Sequence, residues 1–87
     1  MLEELIGQKI VVDLRSEYVC LGTLLRFDDQ FLELKNADLH DLRDTDTSRE
    51  IYVLKSRETG VQANRKRLLL VRTDIVAVAR LADVVLE

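Results

Sequence analysis

The chain contains no proline and no tryptophan, and glycine occurs only three times. Long loops with many tight turns are therefore excluded, because turn chemistry draws mainly on glycine and proline. A single cysteine, Cys20, rules out an internal disulfide and is what a reducing compartment favours, so a cytoplasmic location is expected. Apolar runs stop at Leu68–Val71 and Ile75–Ala79, far short of a membrane span. The start, Met1-Leu2-Glu3-Glu4, lacks the basic residues of a signal peptide. His40 is the only histidine, which leaves an ordinary His/Cys zinc site without ligands. There is no glycine-rich phosphate loop and no nucleophile–base pairing at a motif spacing. No enzyme, no cofactor and no small-molecule substrate is expected.

What is present is apolar and alternating. Hydrophobic residues make up 47% of 87, too many for a disordered segment and enough for one small domain spanning 1–87. Net charge is −3, unevenly spread: residues 1–42 sum to −5 and residues 43–87 to +2. Proteins that rely on bulk phosphate neutralisation are basic overall, so any nucleic-acid site here must be local.

Leu2, Leu5 and Ile6 form one stripe of a short helix within residues 1–7, ended by Gly7. Ile10, Val12 and Leu14 then alternate with polar neighbours, the pattern of a strand with one buried face. Ser16-Glu17 marks a turn. A second strand runs Tyr18 to Phe27, with Gly22 in its middle marking a bend or a close backbone approach. Asp28-Asp29-Gln30 is the next turn, where Asp28 can accept local N–H bonds. In the third strand Leu32 and Leu34 share one phase while Ala37 and Leu39 take the other, so a bulge is expected near Asn36. Short antiparallel strands with a bend and a bulge describe a sheet curving toward a barrel.

Residues 43–65 read as an insertion. Thr47 with Glu50 has the form of a capping box and Gly60 is a helix stop, which predicts a helix over 48–59. The β-branched and aromatic run Ile51-Tyr52-Val53 would suit a strand instead. The last two strands, Leu68–Val71 and Ile75–Ala79, are apolar on both faces. Such strands need two covering layers, and a short chain has little to supply them. Edge pairing with another copy is the simplest use, with Leu68, Leu69, Leu70, Val71, Ile75, Val76, Ala77 and Val78 as the interface. The bland alternative is core strands of a monomeric barrel.

This spacing resembles the Sm and Sm-like family, in a divergent form of bacterial or phage type. Ile10-x-Val12-x-Leu14 is followed by Gly22-Thr23-Leu24 and by Phe27-Asp28, as in the family's first motif. Lys35-Asn36-Ala37 and the helix at Leu2–Ile6 also fit. Leu69-Leu70-Val71-Arg72-Thr73-Asp74-Ile75-Val76 is similar to the second motif, with Thr73 where the family has glycine. The resemblance implies an all-β fold with short helices: a helix over a five-stranded, strongly bent antiparallel SH3-like barrel. It also implies rings of six or seven copies joined through the fourth and fifth strands, with single-stranded RNA held at the pore by two loops.

The first loop of the family has the form Asp-x-(His or aromatic)-Met-Asn. Asp28, Gln30 and Phe31 occupy it here, and Leu32 stands where the asparagine would read a base edge. Phe31 either stacks on a base or packs in the core. Arg72, beside Thr73, either contacts RNA or pairs with Asp74 or a neighbouring subunit's acid. Asn64-Arg65-Lys66-Arg67, the only basic cluster, reads first as a solvated strand entrance and second as a phosphate contact. His40 reads as a surface group and Cys20 as a small packing residue. Three functions remain open: an RNA-binding ring, a ring that is a protein scaffold without RNA, and a monomeric SH3-like interaction module.

Overall fold

The computed structural model describes residues 1–85. Five strands form one antiparallel sheet: β1 (Lys9–Leu14), β2 (Tyr18–Phe27), β3 (Phe31–Asp41), β4 (Arg65–Val71) and β5 (Ile75–Arg80). Their spatial order is β4-β3-β2-β1-β5, so the fourth and fifth strands are the two edges. The sheet curls toward a barrel but does not close on itself.

Three irregularities produce the curl, each readable as a register count. Leu21 pairs with Asp38 but Thr23 pairs with Lys35, leaving one extra residue on β3. That residue is accommodated at Asn36, which sits at φ 50°, a left-handed conformation that asparagine tolerates better than most. Leu24 pairs with Leu34 and Arg26 with Glu33, so a second bulge lies on β2 at Leu25. Asp13 pairs with Ala77 and Leu14 with Ile75, placing a third at Val76. Gly22 is the close approach expected of it. A Cβ there would lie 3.1 Å from the Cα and the Cβ of Ala37 and from Leu34 Cδ2.

Both faces of the sheet are covered at β1 and β2. On the concave side Ile10, Val12, Leu14, Cys20, Leu24, Leu32, Leu34, Ala37 and Leu70 form the main core. Leu2 and Leu5 lie against it from the N-terminal turn. That turn is a 3₁₀ helix, Leu2–Leu5, not the longer helix expected over 1–7. With three residues per turn, Leu2 and Leu5 eclipse on one side, and Ile6 is left extended and exposed.

On the convex side Val11, Val19 and Leu21 are buried beneath the inserted helix α1 (Arg49–Thr59) and the 3₁₀ turn Leu81–Asp83. Val53 is the inward residue of α1, 4% exposed. The helix forms where expected, but its cap differs from the expectation. Ser48, not Thr47, is the N-cap, its hydroxyl accepting from Ile51 N–H at 3.3 Å. Thr47 instead bonds back to Thr45, so no Thr47–Glu50 capping box exists. Gly60 ends the helix at φ 97°, its N–H donating to Ser56 C=O. The β-branched residues that favoured a strand are used for packing: Val53 inward and Ile51 outward.

A polar cluster fastens α1 to β3. The Tyr52 ring stacks on His40 with centroids 3.8 Å apart and planes 8° from parallel. The Tyr52 hydroxyl donates to buried Asp38, and Asn64 Nδ2 donates to the other Asp38 oxygen at 3.2 Å. Asn64 also extends the β3–β4 ladder with its side chain, accepting from Leu39 N–H and donating to Leu39 C=O. His40 is therefore a packing partner of the insertion, not the free surface group the sequence suggests. Burial holds the Asp38 carboxyl above its usual range, partly opposed by nearby His40. Burial likewise pushes the Cys20 thiol up to about 12, in keeping with a small packing residue.

Candidate nucleic-acid interface and assembly edges

The β2–β3 turn is built around Asp28. Its Oδ1 accepts from the N–H groups of Gln30 and Phe31, both at 2.8 Å, and its own N–H donates to Phe31 C=O at 3.0 Å. These backbone donors hold the carboxyl below the ordinary range, helped by Arg72 and Arg26. A carboxylate so engaged shapes a turn first and faces a ligand second.

The turn between β4 and β5 is a 3₁₀ segment, Arg72–Asp74, and it lies against the Asp28 turn. Arg72 N–H donates to Gln30 C=O at 2.9 Å. The Arg72 guanidinium donates through Nη1 to Asp28 C=O at 2.6 Å and lies 6.0 Å from the Phe27 ring centroid. The ion pair weighed for Arg72 within this chain is not the contact adopted: it meets a carbonyl of the other loop, not Asp74. Asp74 C=O in turn accepts from Arg15 N–H at 2.8 Å, fixing the same turn to the end of β1.

The structure thus brings Asp28, Gln30, Phe31 and Arg72 into one site, with Thr73 exposed on the same turn. Phe31 is half-buried and borders a surface groove of about 360 Å³ lined by Arg26, Phe27, Asp28, Phe31, Glu33 and Leu69. Sequence reasoning missed Arg26 and Glu33, which form an ion pair across β2 and β3 on that groove. Arg67 reaches the same carboxylate at 3.5 Å. The two arginines, Arg26 foremost, hold Glu33 below its ordinary range. Alternation alone could have found the pair, since the two residues lie opposite each other in the ladder.

The edges are the second candidate surface. On β4, Leu68 and Leu70 turn into the concave core, while Leu69 is 56% and Val71 50% exposed. On β5, Ile75 and Val78 pack inward, and Val76 is 66% exposed with Ala77 also open. Half of the expected interface residues are therefore core side chains on strands whose backbones are unpaired on one side. The basic cluster Arg65-Lys66-Arg67 is exposed at the start of β4, away from the Arg72 turn at its end. Among the described residues no three His, Cys, Asp or Glu side chains converge to hold a metal ion. No described helix is long and apolar enough to cross a membrane.

No family model and no curated protein sequence matches the chain. Solved structures do. An Sm-like protein of Archaeoglobus fulgidus is similar over 92% of this chain and 88% of its own, at TM-score 0.62 and 18% identity. A heptameric archaeal Sm protein is similar over 91% of this chain and 93% of its own, at TM-score 0.62 and 20% identity. Both are archaeal, where the sequence alone pointed toward bacterial or phage members. At such identities the likeness establishes the fold.

Proposed function

We propose that this chain, which has the Sm fold, assembles with copies of itself into a ring through β4 and β5, and that the ring holds short single-stranded RNA at the clustered turns. The observation that carries the reading is the pair of unpaired edges at opposite ends of one sheet. A strand edge that is apolar and uncovered pairs readily with another chain. Because the two edges differ, pairing is head-to-tail, and a head-to-tail contact closes into a ring when its rotation allows. The heptameric state of the archaeal neighbour supports closure.

The RNA part rests on the site around Arg72. Phe27 and Phe31 offer aromatic faces, Arg72 a planar cation, and the Asp28 turn a fixed frame between them. Stacking of bases on such groups is how unpaired strands are held without sequence readout. Leu32 occupies the place of the base-reading asparagine and is buried, so base selectivity is expected to be weak. The protein acts by binding and not by catalysis. A scaffold ring without RNA is the second reading, favoured by one observation: Arg72 is already engaged with the Asp28 carbonyl.

Sedimentation velocity on the chain at micromolar concentration, then fluorescence anisotropy with labelled oligo-U and oligo-A, tests both parts. A ring-sized species that binds oligomer, with affinity reduced about tenfold by Arg72→Ala, is the expected result. A monomer sinks the ring. A ring that ignores RNA at tens of micromolar turns the function to protein scaffolding.

A further inference from the structure

The insertion leaves a surface that the fold does not use. Between α1, β5 and the segment after it lies an apolar groove of about 500 Å³. Ile51, Leu54, Ala79, Val84 and Val85 line it, together with Glu50 and the paired Asp13 and Arg49. Ile51 is 55% and Val85 76% exposed, whereas Val53, at the floor of the same groove, is buried. Glu50 has no ion-pair partner among the described residues.

The face on which this groove opens is fixed by register. Ala79 pairs with Val11 and Ala77 with Asp13, and Val11 belongs to the convex cluster. Ala77 and Ala79 therefore point to the convex side, and the groove runs directly into the unpaired edge of β5. On β4, Leu68 and Leu70 face the concave core, so Arg67, Leu69 and Val71 face the convex side by alternation. A strand pairing with β5 as the proposed ring requires would bring those three side chains alongside Ala77 and Ala79, at the mouth of the groove.

We infer that the groove between α1 and β5 receives β4 of the adjacent copy, with Leu69 entering its apolar part. The inserted helix is then the third element of the subunit seam, beside the two strands. Two observations on this chain converge on that occupant: the groove is continuous with the β5 edge, and β4 carries two half-exposed apolar side chains on the matching face. The inference rests on the ring reading above and adds to it the role of the insertion and the side chains it presents.

The test uses residues that are exposed in the single chain, so that the fold survives their replacement. Ile51→Asp, Leu69→Asp and the pair Ile51→Asp with Leu69→Lys are compared with the natural chain by sedimentation equilibrium, with circular dichroism to verify folding. Lys55→Asp, on the open side of α1, is the control. Each apolar-to-Asp change is expected to raise the subunit dissociation constant about tenfold or more, the pair to recover most of that, and the control to leave assembly unchanged. If Leu69→Asp dissociates the assembly and Ile51→Asp does not, the strands join without the helix and the inference is overturned while the ring stands. If both dissociate it and the pair recovers nothing, Ile51 and Leu69 do not meet and the inference is equally overturned. A natural chain that is monomeric removes the ring itself, a failure distinct from the other two.

Discussion

At the residue scale, Gly22 and Asp38 show how tightly the convex and concave layers are joined through β3. Gly22 is required by the approach of Ala37 and Leu34, not by its backbone angles, since only Gly7 and Gly60 among the glycines have positive φ. Gly22→Val is expected to destabilise by about 2–3 kcal/mol through overpacking, read as a lower urea midpoint at unchanged slope. Asp38 behaves in the opposite sense to Asp28 and Glu33, whose carboxyls are held below the ordinary range. Its folded carboxyl is raised above the ordinary 3.8, so its favourable contribution is complete below that value and is lost as pH rises through the raised one. Asp38→Asn keeps an oxygen for the Tyr52 hydroxyl and removes the buried charge. The variant's stability relative to the natural chain is expected to improve as pH climbs from acid to neutral, in paired urea melts. An unchanged difference across that window would mean that Asp38 titrates as if in water. The role of Gly22 could be read from the sequence because a glycine inside a strand has few other uses. Asp38 could not, because its burial is created by Tyr52 and Asn64, distant in the chain.

At the element scale, the strands were legible from alternation and the inserted helix from its two ends, while the details of capping were not. Ser48 and Thr47 are chemically equivalent candidates, and a single hydroxyl contact to Thr45 decided between them. Ser48→Ala is expected to cost about 1 kcal/mol, measured as a shift of the unfolding midpoint, whereas Thr47→Ala should cost less. The bulge near Asn36 was visible as a phase change in the apolar pattern. Those at Leu25 and Val76 were not, because each falls inside an unbroken apolar stretch, Leu24-Leu25 on β2 and Ile75–Ala79 on β5, where the apolar pattern has no phase to lose. On β4 and β5, the strands apolar on both faces, Leu69, Val71 and Val76 are the side chains left exposed. The strands that the chain itself covers on both sides are β1 and β2, whose outer layer is the insertion. The residues of the two turns can be named one by one from the sequence, but the contact of Arg72 with Asp28 is a property of those turns meeting in space.

At the scale of the whole molecule, the proposed ring and the proposed RNA site answer differently to salt. Subunit joining through backbone ladders and leucine, valine and alanine side chains has little charge to screen. Binding of a polyanion by a chain of net charge −3 depends on a few local cations and weakens as salt rises. Raising salt from about 50 to 200 mM should leave the sedimenting species intact while oligonucleotide affinity falls severalfold, as anisotropy will read. Loss of assembly at the higher salt would instead assign the seam to its charges.

The sheet order also carries a consequence for the route by which the chain folds. β1–β2 and β2–β3 are hairpins between neighbours in sequence, and β3–β4 spans only the insertion, but β5 must return from the far end of the chain to pair with β1. Closing so long a loop is the entropically dearest step and the slowest to be rewarded by contacts. The β5 edge is consequently finished last. While β5 is still within the ribosome, the sheet can present β4 without its counterpart. Under the proposed ring, joining of subunits therefore waits until β5 has been made and has paired with β1, and synthesis itself sets the order in which copies become competent to meet.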